Sequence, residues 1–275
     1  MAVAKTIAEN VLEELNRFST TDTMPDAFTS ARLRREIAKL GKVDVVGKQL
    51  CDAILATVEG READARRNFI DILKYQPDNP DMHQNFAYSL SKFGRISEAH
   101  KHYLATVDHT DQTAKLLIDL AESSLIVYRP GDLVAALERN SKKINMDDIV
   151  ESGNIRKALQ LHELFTALDI DENESNQIYN TTEEFKLENN LKVVSGYFRS
   201  TGAYGGAKIT FYASIEGDSE YISEMNMRFC DKLIDNDQGS ILKNVTYAFV
   251  PFNESDMDWL DTAIETDGTL NASYQ

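Results

Sequence analysis

The chain has 275 residues and a formal net charge of −16, a balance that disfavours general binding to phosphate backbones and leaves room for two domains with a sizeable core. No stretch approaches the roughly 18 apolar residues that a bilayer crossing needs, and Met-Ala-Val-Ala-Lys leads into polar helix rather than the apolar run of a signal peptide. Cys51 and Cys230 lie far apart, each within a predicted helix, so both are read as buried free thiols in a reducing cytoplasm.

Ile7, Val11, Leu15 and Phe18 form one stripe of an amphipathic first helix. Ser, Thr, Asp and Pro clustered over 19–27 predict a loop. A second helix then runs from about Thr29 to Leu40, with Leu33, Ile37 and Leu40 inward. Its Arg32, Arg34, Arg35 and Lys39 open a locally basic stretch, residues 32–67, with nine Lys or Arg against six Asp or Glu. One alternative function rests on it, a nucleic-acid-associated regulator using Arg32 to Arg67. No aromatic residues interleave with these cations, so a solvated helix face is preferred.

Gly60, Ala65 and Phe69 recur 34 residues on as Gly94, Ala99 and Tyr103. A glycine lets the backbone leave one helix through a tight turn. The alanine allows close approach of the next helix, and the aromatic one turn later fills the groove between units. Gln76-Pro-Asp-Asn-Pro80 ends one helix and starts another, with Asp78 or Asn79 as cap and Pro80 at the first position. This pattern resembles the tetratricopeptide repeat, with residues 46–79 as one repeat and 80–113 as the next. Phe86, Ala87 and Leu90 fit the family's apolar positions, whereas Asp52 stands where a leucine is usual.

Ala114 to Tyr128 is another apolar-rich helix, and the break Arg129-Pro-Gly-Asp132 falls about three residues late for the period. Leu133 to Ile149 reads as irregular helix. Gly153 and Ala158 restore the glycine-to-alanine spacing, and Leu161, Leu164 and Phe165 continue an inward face. Three to four stacked helix pairs with degenerate outer ones follow. Residues 169–190 read as a polar linker holding at most a short helix over 178–188. Beyond 190 the period becomes alternating: a strand from Leu191 to Thr201, a glycine turn over 202–206, and a strand with Ile209, Phe211, Ala213 and Ile215 on one face. A helix carrying Ile222, Met225, Phe229 and Leu233, a strand from Val245 to Phe252 and a short helix from Met257 to Ile264 complete the chain. The fold class is thus α+β multidomain: a tetratricopeptide-like solenoid over 1–168, a linker over 169–190, and an acidic strand–strand–helix–strand–helix domain over 191–275.

Chemistry is sparse. His100, His102 and His109 read as surface polar residues and His162 as a packed one. Asp169, Asp171 and Asn173 begin like a calcium loop, but Glu174 and Asn180 stand where glycine and a bidentate glutamate are required. Gly202-Ala-Tyr-Gly-Gly206 precedes a strand, so it lacks the amide array of a phosphate loop. No cofactor or metal is expected. The repeat resemblance implies instead a groove lined by the first helix of each pair, selecting Gln84, Asn85, Tyr88 and Lys92, with Asn85 where many family members hold a peptide backbone. Lys92 and Lys115 substitute in part for the basic residues of the carboxylate-clamp subclass, and Leu50, Cys51 and Ile54 occupy the corresponding face of the preceding repeat. Tyr204 is a further contact candidate at the hairpin tip. The expected function is a cytoplasmic, non-catalytic interaction protein or adaptor binding a protein or peptide partner, in one version an inhibitor or immunity-type protein that masks a basic partner. The enzyme alternative places a site in the carboxyl-terminal domain, with Arg228, Asp231, Asp235 or Asp237 converging and the repeats recruiting substrate.

Overall fold

The computed structural model describes residues 2–21, 23–110, 113–145, 149, 152–203 and 206–252, with side chains described except at 2–7, 201–203 and 206–207. The expected helix over 257–264 and the tip residue Tyr204 lie outside them. The chain divides into two compact units, Met1–Ser123 with Ala135–Ile155, and Ser124–Val134 with Arg156–Gln275. Among the described residues no helix is long and apolar enough to cross a membrane.

The first unit begins with α1 (Ala2–Thr21) and α2 (Ala27–Leu40). Val11, Leu15, Leu33, Ile37 and Leu40 are fully buried, as the stripes require. Two hairpins follow, α3 (Val45–Val58) with α4 (Glu62–Tyr75) and α5 (Pro80–Lys92) with α6 (Ile96–Thr106). Asp44 caps α3 by accepting from the Gly47 amide at 2.7 Å. Gly60 and Gly94 take φ values of 72° and 73°, and the next amides, Arg61 and Arg95, reach back to Ala56 O and Leu90 O at 2.8 and 2.9 Å. That is the closing bond of a Schellman turn. Ala65, Ala99 and Phe69 are fully buried, and Phe69 stacks on Phe86 with centroids 5.0 Å apart. Arg95 Nε and Arg66 Nε bond Glu62 Oε1 at 2.9 and 2.8 Å, while Arg66 Nη1 reaches Glu98 Oε1 at 3.0 Å, tying the two second helices together.

The third turn departs from expectation. After α7 (Thr113–Ile126), Tyr128 takes φ 60° and the Arg129 amide donates to Ser124 O at 2.9 Å. Gly60, Gly94 and Tyr128 are each 34 residues after the last, as are the helix starts Glu62, Ile96 and Pro130 of α8 (Pro130–Asn140). The break is therefore in period, not three residues late. Gly131, within the expected break, answers to another demand: its amide donates to both Glu172 oxygens at 2.9 and 3.1 Å. A Cβ there would stand 2.8 Å from Glu172 Oε1. Gly153 is likewise no exit glycine but the first residue of α9 (Gly153–Ala167).

The second unit corrects the linker. Residues Glu172–Glu188 form α10, capped by Asp171 through the Asn173 amide at 2.7 Å. Its inward face is Ser175, Ile178, Tyr179, Thr181, Thr182 and Phe185, all buried; the hydroxyl residues in that stripe hide it from a hydropathy reading. Strands β1 (Val193–Ala203) and β2 (Gly206–Ile215) pair antiparallel, and β3 (Val245–Pro251) joins β2 in parallel, giving the order β1-β2-β3. Parallel neighbours need a crossover, and α11 (Ser219–Asp235) supplies it with Ile222, Met225, Phe229 and Leu233 buried. Asn226 accepts from the Phe249 amide at 2.9 Å and donates to its carbonyl at 2.8 Å, covering one backbone pair at the edge of β3. Tyr128 enters this core. Its ring stacks on Phe211 at 3.6 Å and meets Tyr179 edge-on at 5.5 Å.

Candidate functional site

Helix α5 is positioned by Asn79, whose Oδ1 accepts from the Asp81 and Met82 amides at 3.0 and 3.3 Å, with Pro80 at the first position. Burial of Met82, Phe86, Ala87, Ser89 and Leu90 fixes its inward face. Gln84, Asn85, Tyr88 and Lys92 are left outside that set. They are engaged as follows. Gln84 Nε2 donates to Asp119 Oδ2 of α7 at 3.4 Å. Asn85 Nδ2 turns back to Asp81 O of its own helix at 2.7 Å. The Tyr88 hydroxyl donates to Ser19 O near the end of α1 at 3.1 Å, and Lys92 Nζ lies 5.7 Å from the Tyr88 ring. Lys115 is exposed on α7, and its charge acts on Asp119.

Sequence reasoning missed the two carboxylates beside these residues. Burial holds the Asp119 carboxyl above its ordinary range, against the Gln84 hydrogen bond and the Lys115 charge. Burial also raises Glu122, and the neighbouring Asp119 charge adds to it. Glu122 is solvent-exposed and Asp119 half-buried. The signal was available. Adding 34 to Asn85 and Tyr88 gives Asp119 and Glu122, an equivalence hidden while the third turn was placed out of period.

Elsewhere the candidates disperse. Arg228 Nη2 donates to Asn189 Oδ1 at 2.5 Å, Asp237 takes φ 56° in the turn that closes α11, and Asp231 and Asp235 are exposed on that helix. Several arginines of the basic stretch face carboxylates: Arg32 pairs with Glu14, Arg34 with Glu59 at 2.6 Å, and Arg61 with Glu59 at 2.7 Å. His100, expected at the surface, is buried with Nδ1 2.9 Å from Ser123 Oγ. His102 Nδ1 lies 2.7 Å from His83 Nδ1, and His83 Nε2 is 2.7 Å from Pro77 O. Among the described residues no group of three or more His, Cys, Asp and Glu could hold a metal. Cys51 is buried, its thiol pushed up to about 12 chiefly by burial, but Cys230 is exposed, contrary to expectation. It sits on the outer side of α11, where Ser223, Met227 and Cys230 repeat outside the inward stripe.

Comparison with protein families, with curated proteins and with solved structures returns no match.

Proposed function

We propose that this chain is a non-catalytic interaction protein built on tetratricopeptide-like hairpins, and that the face of α5 and α7 receives an extended, basic segment of a partner. The three in-period turns support the resemblance to that repeat. One observation carries the binding reading: Asn85 and Tyr88 on α5 are followed one period later by Asp119 and Glu122 on α7, and both acids are raised by burial. At Asp119 burial outweighs the Gln84 bond and the Lys115 charge, so this carboxylate gains from the further charge of an arriving Lys or Arg. Tyr88 adds contact area at low entropic cost.

Titration of the full chain with a Lys- and Arg-rich peptide, against its Gln-substituted counterpart, tests the reading. The basic peptide should bind and the neutral one should not. Binding should weaken with salt and disappear in Asp119→Lys. It should also release protons near the acids' raised range, because a bound cation restores the charged form. Equal binding of both peptides, or unchanged affinity in Asp119→Lys, removes the reading.

A further inference from the structure

Residues 191–215 carry Lys192, Arg199 and Lys208 and no Asp or Glu, in a chain of net charge −16. Register places Ser195, Tyr197 and Arg199 opposite Ser214, Tyr212 and Thr210. These alternate with Ile209, Phe211, Ala213 and Ile215, whose side chains are buried in the core, so they belong to the other sheet face. On it the Tyr197 and Tyr212 rings stack at 4.8 Å and 17°, and the Arg199 guanidinium lies 5.5 Å from the Tyr197 ring. Arg199 and Lys208 are exposed. Thr246, Ala248 and Val250 continue the face on β3, each half-buried. It offers aromatic planes, hydroxyls and cations, and no carboxylate of the three strands.

The end of β3 lies beside that of β2, where the Phe252 amide donates to Ile215 O at 3.0 Å. The residues that follow, 253–275, hold Glu254, Asp256, Asp258, Asp261, Glu265 and Asp267, no Lys or Arg, and the only tryptophan of the chain, Trp259. At roughly 3.3 Å per extended residue the segment has ample reach to cross three strands. We propose that the basic, tyrosine-bearing sheet face is a docking site for an acidic, tryptophan-bearing segment, and that residues 253–275 are its occupant. Trp259 adds a ring to the tyrosine pair, and the carboxylates meet Arg199, Lys208 and Lys192. The same unit offers a rival surface, a groove along α11 and the end of β3 lined by Ile222, Asn226, Met227, Cys230 and Pro251. There α11 carries Glu220, Glu224, Asp231 and Asp235 against Arg228 and Lys232, so the field opposes an acidic segment.

Trp259 makes the test direct in the full chain. Its emission should be blue-shifted and shielded from acrylamide. In the triple variant Asp256→Asn, Asp258→Asn and Asp261→Asn, which leaves every sheet residue in place, emission should move to that of a water-exposed indole and quenching should rise severalfold. Arg199→Glu with Lys208→Glu should do the same, and salt should weaken the shielding of the unaltered chain. Alkylation of Cys230 should proceed equally in the unaltered chain and the triple variant. A water-exposed Trp259 in the unaltered chain, or shielding that survives both sets of substitutions, overturns the proposal. So does faster alkylation of Cys230 in the triple variant, which would put the segment on α11.

Discussion

Gly60 and Tyr128 stand at equivalent turns, 68 residues or two periods apart, with φ 72° and 60°. At Gly60 the left-handed conformation is met by the one residue it does not strain, and beyond the adjoining residues no heavy atom lies within 4 Å of where a Cβ would be. At Tyr128 the same backbone carries a side chain that is 2% exposed. A non-glycine residue there costs about 1–2 kcal/mol, and fully burying an aromatic ring more than offsets that. The period sets the backbone, and the surroundings set the residue. The sharpest test is Tyr128→Ala, which should keep the turn but empty the stack on Phe211, costing about 3–5 kcal/mol in urea unfolding. A loss below about 1 kcal/mol would mean that the ring is no anchor.

Five residues past each turn the contrast recurs. Ala65 and Ala99 occupy this position in the first two hairpins and Leu133 in the third, and all three are fully buried. Ala65→Leu or Ala99→Leu should destabilise by about 1–3 kcal/mol through overpacking, whereas Leu133→Ala should cost about 2–5 kcal/mol through the cavity left. Lys101→Ala, at an exposed position of α6, should change thermal unfolding little. If Ala65→Leu and Ala99→Leu bring no loss, the two alanines are not at close-contact positions and the contrast with Leu133 ends.

These same residues show what could be read beforehand. The two glycine turns, the amphipathic stripes and the alternating strands follow from local chemistry, and the structure has them. Tyr128 could not be recognised as a turn residue, because its strain is offset by rings distant in sequence, Phe211, Tyr179 and Tyr247 among them. Gly131 misled for the complementary reason, since its demand for space comes from Glu172. The sequence over 172–188 reads as linker because Ser175, Thr181 and Thr182 are buried where apolar residues would announce a helix. Of the candidate site, α5 was legible from the repeat. Asp119 and Glu122 were not, for they inherit their place from the misread turn.

The hairpin α5–α6 should also differ from its neighbour in acid, because it alone carries the histidine pair. Burial, then the adjacent His83, lowers His102 from 6.5 to about 4, while Glu98 on α6 acts against the shift and Arg66 on α4 with it. The unfolded chain thus takes up a proton first as pH falls. Stability contributed by neutral His102 is present above about pH 6.5, is lost between there and about 4, and changes no further below. Allowing for partial exposure, the loss should be about 2 kcal/mol. His102→Gln should flatten the acid limb of a pH series of melting temperatures, and an unchanged limb would show that other groups set it.

The smallest effect concerns the turn with which the comparison began. Gly60→Ala meets no neighbouring atom, so its cost is confined to the backbone, about 1 kcal/mol for a β-carbon in the left-handed region. Gly60→Asn should cost less, because asparagine enters that region more readily than other residues with a side chain. A β-branched residue should cost more than either. The order asparagine, alanine, valine is therefore expected in urea midpoints, without a change in slope. Had the position been defined by packing, as at Tyr128, the order would follow side-chain volume and valine would gain on alanine. If Gly60→Val matches or exceeds Gly60→Ala in stability, the turn at Gly60 is not held by its φ.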